Sequence, residues 1–293
     1  MTKLLKVNRE ESGQRLDHYL VTQCPEFSRS YLQGMIEQGS IRVNGEPAKA
    51  RSKIKSDDVV EILDIEPVEL DIKPVDLQLD IVYEDSDLLV INKPQGLIVH
   101  PSASTKDQVT LVSGLLYHCQ DRIDKDTSGL LVVAKNENAH HELSRQLKDK
   151  TMNRSYYALV SGVFKHDFAK VDAPIGRDST DRQKMTVTHK NSKTAVTHLK
   201  TVEAFKHYTL LECSLETGRT HQIRVHLKYI GFPIVGDPKY AGKNEFGLTA
   251  QCLHAFRLEL IHPTTHQRMT FTADLPHQFK AVLAEIRERD ALE

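Results

Sequence analysis

The chain has 293 residues, 39% of them apolar and 27% charged, which is ordinary for a globular protein with one large and one small domain. Its formal net charge of −1 excludes a global positive field, so any nucleic-acid partner must meet a local basic patch. The four scattered cysteines form no CxxC pair, which argues against a zinc ribbon and a disulfide framework. No apolar run approaches the ~20 residues that cross a bilayer, and the amino terminus is too charged for a secretory signal, so we expect a cytoplasmic protein.

The first predicted elements form a small unit between residues 12 and 63. Ser28 is a good N-cap for its second helix, and Asn44-Gly45 is the dipeptide typical of a tight hairpin turn. In chain order, the pattern predicts a helix at 15–20, a helix at 29–36, a strand at 41–43 and a strand at 59–63.

Basic residues gather in the second half of this unit, where only Glu46 opposes them. Amphipathic helices of this length are usually only core elements, and the basic residues are what favour a binding function. The order of helices, Asn-Gly turn and basic loop resembles the small RNA-binding module first recognised in a ribosomal small-subunit protein, the S-four domain. The resemblance implies phosphate contacts, which position RNA without reading its sequence. The predicted contact residues are Arg29, Arg42, Lys49, Arg51, Lys53 and Lys55.

Residues 64–80, with two prolines, predict an extended linker, and we divide the chain into domains at 1–75 and 76–293. Because many predicted strands adjoin one another without an intervening helix, the pattern favours an α+β fold with a mixed, mostly antiparallel sheet and flanking helices. The strands are predicted at 81–84, 88–92, 130–134, 155–161, 195–205, 208–216 and 253–261, and the helices at 108–118, 137–149, 220–230 and 277–289.

The stretch from residue 122 to residue 134 contains the strongest candidates for reacting groups. Arg122 and Asp124 precede a Thr-Ser-Gly turn that runs directly into an apolar strand. An ionised carboxylate is costly at the start of a buried strand unless it is paired, and such loops are where enzymes hold reacting groups rigidly. Taken alone, the Asp-Thr-Ser-Gly tetrapeptide is better explained as a turn in which Asp and Ser cap the backbone.

The wider sequence reverses that preference. Residues 122–135 resemble the central signature of the RluA/RluD family of pseudouridine synthases, and further segments match that family in order from about residue 80 to about residue 280. The resemblance implies the pseudouridine synthase fold and a cofactor-independent isomerisation of uridine to pseudouridine in RNA. The other matching segments are 87–96 with His100-Pro101, 154–162, 217–227, 236–240 and 254–263.

The resemblance also implies the catalytic residues. Pseudouridine formation breaks the glycosidic bond, rotates the base and rejoins it through carbon five, so it needs a carboxylate near the anomeric carbon and a water-poor pocket. Asp124 matches that carboxylate, either as a nucleophile or as a base toward a sugar proton. Arg224 is the cation that keeps it ionised, rather than a charge on a helix surface. Tyr156 lies against the base, since the spacing basic-x-Tyr-x-Ala selects it over Tyr157.

Four further residues are assigned to the substrate. Arg122 would fill the gap that the flipped nucleotide leaves. Leu130 and Ile223 would line the base pocket, and a purely structural role for both is nearly as well supported. His221 is assigned to phosphate contact or helix packing. It lies five residues from His226, on a different helix face, and no further ligand completes a set, so no metal site is predicted.

The sequence departs from the family pattern just before Arg122. Family members carry Gly-Ile-Val-His there, whereas Tyr117–Asp121 here runs straight into Arg122. Either a segment is missing, which we favour because the flanking motifs match, or this member is truly shorter. The second explanation leaves open a non-catalytic RNA-binding or ribosome-assembly factor on a degenerate synthase fold. The separate small domain favours large-subunit ribosomal RNA over transfer RNA as the substrate, and we expect a monomer.

Overall fold

A computed structural model describes residues 3–24, 29–63, 79–99, 111, 124–181, 183–240 and 242–292, with the side chains of 29–31 excluded. Its contacts divide the chain into two compact units, Met1–Ile72 and Lys73–Glu293. The predicted helix at 108–118, except for Leu111, and nearly all of the predicted linker lie outside the described residues. No helix in the described part of the chain is long and apolar enough to cross a membrane.

The first unit is a four-stranded antiparallel sheet with two helices. The strands pair in the order β1-β4-β2-β3. Asn44 and Gly45, both at positive φ (53° and 80°), make the predicted turn between β2 and β3. Apolar residues of both helices and the sheet form one buried cluster. The elements are β1 (Lys3–Lys6), a 3₁₀ turn (Arg9–Glu11), α1 (Leu16–Gln23), α2 (Arg29–Glu37), β2 (Ile41–Val43), β3 (Glu46–Pro47) and β4 (Val59–Ile62).

The second unit contains twelve strands and three helices in its described residues. Its strands are β5 (Asp80–Glu84), β6 (Leu88–Lys93), β7 (Ser128–Ala134), β8 (Asn153–Ser161), β9 (Phe168–Asp172), β10 (Ile175–Arg177), β11 (Met185–Val187), β12 (Ser192–Lys193), β13 (Val196–Ala204), β14 (Tyr208–Leu215), β15 (Leu253–Ile261) and β16 (Arg268–Thr272). Its helices are α3 (Glu137–Lys148), α4 (Gln222–Tyr229) and α5 (His277–Leu292).

Nine of these strands form one sheet in the order β5-β6-β7-β15-β8-β14-β13-β9, with β16 paired to β15. Among its described strands, β7 and β15 are the one parallel pair and the others are antiparallel. The α+β prediction is therefore confirmed. Strands β10 to β12 form a separate small sheet.

The central strand β7 is buried along all seven of its residues. Its side chains alternate between two cores, so that Leu131 packs in the cluster of Ile91 while Leu130 packs in the cluster of Val90 and Leu143. Burying one such side chain contributes roughly 1.5–3 kcal/mol. The loop that precedes β7 is therefore attached to a rigid strand.

Candidate active site

Asp124 lies in a short turn that leads into β7. The Thr127 N–H donates to the Asp124 carbonyl at 2.9 Å and closes the turn. The Asp124 side chain is 21% exposed, so it is held by protein on most sides and still reachable. The turn thus presents one carboxylate at the edge of a buried strand.

Arg224, on α4, is the principal partner of this carboxylate. Its side chain is 2% exposed, which makes the surface-charge explanation wrong. One terminal nitrogen donates to Asp124 Oδ2, while Nε and the other terminal nitrogen each donate to Asp237 at 2.7 Å. Burial acts to lower the pKa of Arg224, but the Asp237 hydrogen bonds and the Asp124 charge outweigh it and raise that pKa. Arg224 therefore keeps its positive charge.

Asp237 fixes the guanidinium from the opposite side. Its side chain is fully buried, and Oδ1 also accepts the backbone N–H groups of Lys239 at 2.9 Å and Tyr240 at 3.0 Å. Such a two-point arginine–carboxylate pair sets direction as well as charge. With Nε and one terminal nitrogen fixed by Asp237, the other terminal nitrogen of Arg224 is directed toward Asp124.

Two more side chains approach the same oxygen of Asp124. His221 Nε2 and Gln251 Nε2 each lie 3.5 Å from Oδ2. His221 precedes α4 with left-handed backbone (φ 56°), and burial lowers its pKa while the Asp124 charge opposes that shift. Among the described residues, Oδ1 accepts no hydrogen bond. Oδ2 is thus the oxygen that the described residues hold.

Residues at the end of β6 and just after it bind the backbone of the turn that contains Asp124. Lys93 is fully buried, and its ammonium donates to the carbonyls of Pro94 at 3.0 Å, Leu97 at 3.1 Å and Lys125 at 2.9 Å. Gln95 Nε2 donates to the carbonyl of Asp126 at 3.0 Å. Burial lowers the pKa of Lys93 to about 8, against the opposing charge of Asp124. Lys93 and Gln95 therefore order the turn.

A cavity of about 680 Å³ opens beside Asp124. Tyr156, 6% exposed, forms part of its wall, whereas Tyr157 points to the other side of β8 and stacks on Phe256 with ring centroids 3.8 Å apart. The cavity therefore joins a carboxylate, an aromatic ring, an apolar wall and a basic rim. The apolar wall includes Met152, Leu215, Ile223 and Leu253, and the rim includes Lys148, Lys150, Arg154 and Arg219.

The structure brings together most of the predicted substrate residues of this domain. Ile223 and His221 line the cavity. Leu130 does not, because it packs in the cluster on the opposite side of β7 from Leu131. Arg122 lies outside the described residues. His226 is a packing residue, since its ring is fully buried with Nδ1 at 2.9 Å from a threonine hydroxyl and Nε2 at 2.9 Å from a backbone carbonyl.

The predicted basic residues of the first unit are exposed where they are described. The side chain of Arg29 lies outside the described residues, although its backbone begins α2. The exposed cations are Arg42, Lys49, Arg51, Lys53 and Lys55.

Sequence reasoning gave no role to several residues of the site. Asp237, Tyr240 and Lys93 all stand in segments that matched the family, yet nothing in those segments indicated that they touch Arg224, His221 or the turn. Gln251, fully buried beside Thr127, lay outside every matched motif and carried no signal.

A second cluster of ionisable side chains, Asp85, Asp87 and His262, lies away from the cavity. His262 Nδ1 accepts the backbone N–H groups of Thr264 and Thr265 at 3.1 and 3.0 Å, and Nε2 lies 2.8 Å from Asp85. Both nitrogens of the ring are thus engaged within the protein. The cluster thus ties two turns together.

Comparison with known proteins gives consistent results. Residues 87–229 match the model of the RNA pseudouridylate synthase family, and residues 14–60 match that of the S4 domain. The chain is similar to the uncharacterised RNA pseudouridine synthase YlyB of Bacillus subtilis, with 45% identity over 97% of this chain and 98% of that protein. It is also similar to the ribosomal large subunit pseudouridine synthase D of Pseudomonas aeruginosa, with 41% identity over 95% of this chain and 94% of the relative.

Solved structures agree. The structure named human RNA Pseudouridylate Synthase Domain Containing 4 superimposes with a TM-score of 0.59 at 27% identity, over 71% of this chain and 93% of the human chain. The alignment with the Bacillus protein extends over 298 positions, more than the 293 residues of this chain, so that relative contains residues that this chain lacks.

Proposed function

We propose a substrate and a reacting group for this chain, which belongs to the RNA pseudouridylate synthase family. The chain is an isomerase that converts uridine in RNA to pseudouridine, and it carries an RNA-binding S4 domain. Its substrate is large-subunit ribosomal RNA, and Asp124 is the carboxylate that acts on the target nucleotide.

One observation carries the assignment of Asp124. Its Oδ2 is held by a buried arginine whose other donors are fixed by Asp237, while Oδ1 accepts no hydrogen bond from the described residues. A carboxylate bound through one oxygen stays ionised and keeps its other oxygen for the sugar. Oδ1 is then the atom that attacks the anomeric carbon or removes a sugar proton.

The cavity wall fits the rest of the reaction. Tyr156 is placed to lie against the uracil ring, and its hydroxyl is the group that relays the proton from carbon five. Ile223 and Leu253 exclude water from the base. The basic rim meets phosphates on either side of the flipped nucleotide, and Arg122 fills the space that this nucleotide leaves in the RNA.

The choice of ribosomal RNA is supported by the name of the Pseudomonas relative and by the exposed cations of the S4 domain. These cations give the enzyme a second contact with a large, folded RNA. We place the boundary between the two domains at residue 75. The enzyme is proposed to act in the cytoplasm as a monomer, and light scattering on the purified protein checks the oligomeric state.

The test is tritium release from RNA labelled at carbon five of uridine, for the native chain and Asp124→Asn. We expect release from large-subunit ribosomal RNA by the native chain and none by the variant. Release from transfer RNA instead would change the substrate. Equal release by both proteins would remove Asp124 from the chemistry, and no release by a folded native protein that binds RNA would indicate a non-catalytic factor.

A further inference from the structure

We infer that His221 positions the Asp124 carboxylate as a neutral imidazole that donates through Nε2–H, and that the Tyr240 hydroxyl selects this tautomer. The inference rests on the proposed function of Asp124. It assigns two positioning residues that act through the carboxylate rather than on the substrate.

The geometry of the imidazole defines what each nitrogen can do. Nε2 lies 3.5 Å from Asp124 Oδ2, and Nδ1 lies 2.8 Å from the Tyr240 hydroxyl oxygen. A neutral imidazole has one protonated nitrogen and one with a lone pair. If the proton were on Nδ1, the lone pair of Nε2 would face a carboxylate oxygen, which is repulsive. With the proton on Nε2, His221 donates to Asp124.

The hydrogen-bond partners of the Tyr240 hydroxyl favour the same tautomer. The backbone N–H of Met185, on β11, donates to the Tyr240 hydroxyl oxygen at 2.9 Å. This hydroxyl has one proton to give, and among the described residues His221 Nδ1, 2.8 Å away, can accept it once the imidazole proton is on Nε2. The phenol donates to Nδ1, so Nδ1 carries no proton. Two hydrogen bonds thus link the small sheet to His221 through Tyr240, and the 3.5 Å contact of His221 Nε2 continues the connection to Asp124.

The surroundings hold both rings in place. Tyr240 is 2% exposed, and its ring meets the His221 ring edge-on at 79° with centroids 5.6 Å apart. The Arg224 guanidinium lies 5.0 Å from the centre of the Tyr240 ring. His221 makes no capping hydrogen bond to α4 with its side chain, although it occupies the N-cap position. Its imidazole is therefore committed to Asp124 and Tyr240.

The charges around His221 are mixed. Asp124 and Asp237 favour its protonation, Arg224 and Lys239 oppose it, and burial lowers its pKa. The ring therefore stays neutral at neutral pH. A neutral donor orients Oδ2 without adding a second full positive charge beside Asp124, which would weaken the carboxylate as a base or nucleophile.

The first test reads the tautomer directly. In the native protein labelled with ¹⁵N-histidine, the His221 signals should show a protonated Nε2 and an unprotonated Nδ1 near neutral pH. In Tyr240→Phe we expect the fraction of His221 with a protonated Nδ1 to rise, because only the Asp124 contact then favours the proton on Nε2. A protonated Nδ1 in the native protein would overturn the inference, and so would an unchanged tautomer in the variant.

The second test reads the reaction. Tyr240→Phe should lower kcat about tenfold with KM nearly unchanged, as expected when one neutral hydrogen bond stops acting on the reacting group. Tyr208→Phe is the matched control, because Tyr208 is also buried and donates one hydroxyl hydrogen bond, to Glu245 at 2.8 Å, away from this cavity. An equal loss of kcat in both variants would indicate a general structural effect and contradict the inference.

A third test separates the loss of the hydrogen-bond donor from the loss of the side-chain volume at residue 221. Gln places its amide nitrogen near Nε2 of histidine, so His221→Gln should keep several-fold more of kcat than His221→Leu. Equal loss in both would overturn the role of the donor. Activity of Asp124→Asn at the native level would instead refute the proposed function, whatever tautomer is found.

Discussion

Two loops, residues 124–127 and 236–240, each bring an aspartate to the same arginine, and the two aspartates are held very differently. Asp237 is fully buried, takes two hydrogen bonds from Arg224 and two from backbone N–H groups. Asp124 is 21% exposed and takes one bond from Arg224. The same residue type thus serves as an anchor in one loop and, in our proposal, as the reactive group in the other.

The difference shows how the site is ordered. A pair of opposite charges at ~4 Å attracts by about 4 kcal/mol at an effective dielectric of about 20, before the cost of removing both from water. Asp237 offsets the cost of removing Arg224 from water, because its carboxylate binds the guanidinium through two hydrogen bonds. Asp124 then meets a cation that is already fixed and needs few bonds of its own. Within the described part of the chain, its second oxygen accepts no hydrogen bond.

The largest effect should come from Asp124→Asn. The amide can still accept from Arg224, so we expect the free energy of unfolding in urea to change by no more than about 1 kcal/mol. The single-turnover rate should fall by at least ~10³-fold, because an amide neither attacks nor removes a proton. A loss of stability as large as the one expected below would mean that Asp124 is also an anchor.

Asp237→Asn is the matched variant on the other loop. It removes one charge from a buried pair and turns an amide N–H toward the guanidinium, which should lower the free energy of unfolding by about 3–5 kcal/mol. The rate should fall as well, because Arg224 loses its fixed direction. Urea titrations of the two variants side by side check this, and a variant as stable as the native protein would remove the distinction between the loops.

Much of this contrast could not be read from the sequence. Long strands such as β8, β13 and β15 were predicted within a few residues, because a strand of nine residues is long enough to leave a local sequence pattern. Strands β10 to β12 have two or three residues each and were missed. Such short strands exist through their partners and leave no periodic pattern.

The residues of the site also fall into those that the sequence predicted and those that it did not. The family motif predicted Asp124, Arg224 and Tyr156, and the structure places all three at one cavity, although their roles remain proposals. Leu130 was assigned to the wrong surroundings because every residue of β7 is buried, so no alternation of polar and apolar residues indicates which side each one faces. Burial of a charged residue such as Lys93 depends on distant partners, so its sequence neighbours could not reveal it.

The two loops should also differ in their response to alkali. The 236–240 loop is held by backbone amides, whereas the carbonyl of Lys125 is held by the Lys93 ammonium. As Lys93 loses a proton with a pKa of about 8, its amine has two donors for three carbonyls, so the rate should fall as pH rises through that value. Single-turnover rates from about pH 6.5 to about pH 9.5 test this.

Stability should change in the opposite direction. The folded pKa of Lys93 lies below its ordinary value of 10.5, so the unfolded chain binds more protons between about pH 8 and that value. This group therefore increases the free energy of unfolding as pH rises through that window. Lys93→Met should lower the rate at neutral pH and flatten the alkaline fall. Lys135→Met, at the far end of β7, is the control, and the same flattening there would contradict the assignment.

The smallest effect on chemistry should come from variants that touch neither loop. Arg51 and Lys53 are exposed in the S4 domain, and replacing both with alanine should weaken RNA binding and make it less dependent on salt. The slope of log affinity against log salt should fall by about one for each phosphate that the variant no longer neutralises. The single-turnover rate at saturating RNA should stay close to native. Lys165 and Lys200, exposed in the second unit, provide the matched double variant. An equal loss of affinity in both proteins would mean that charge alone, rather than this patch, holds the RNA.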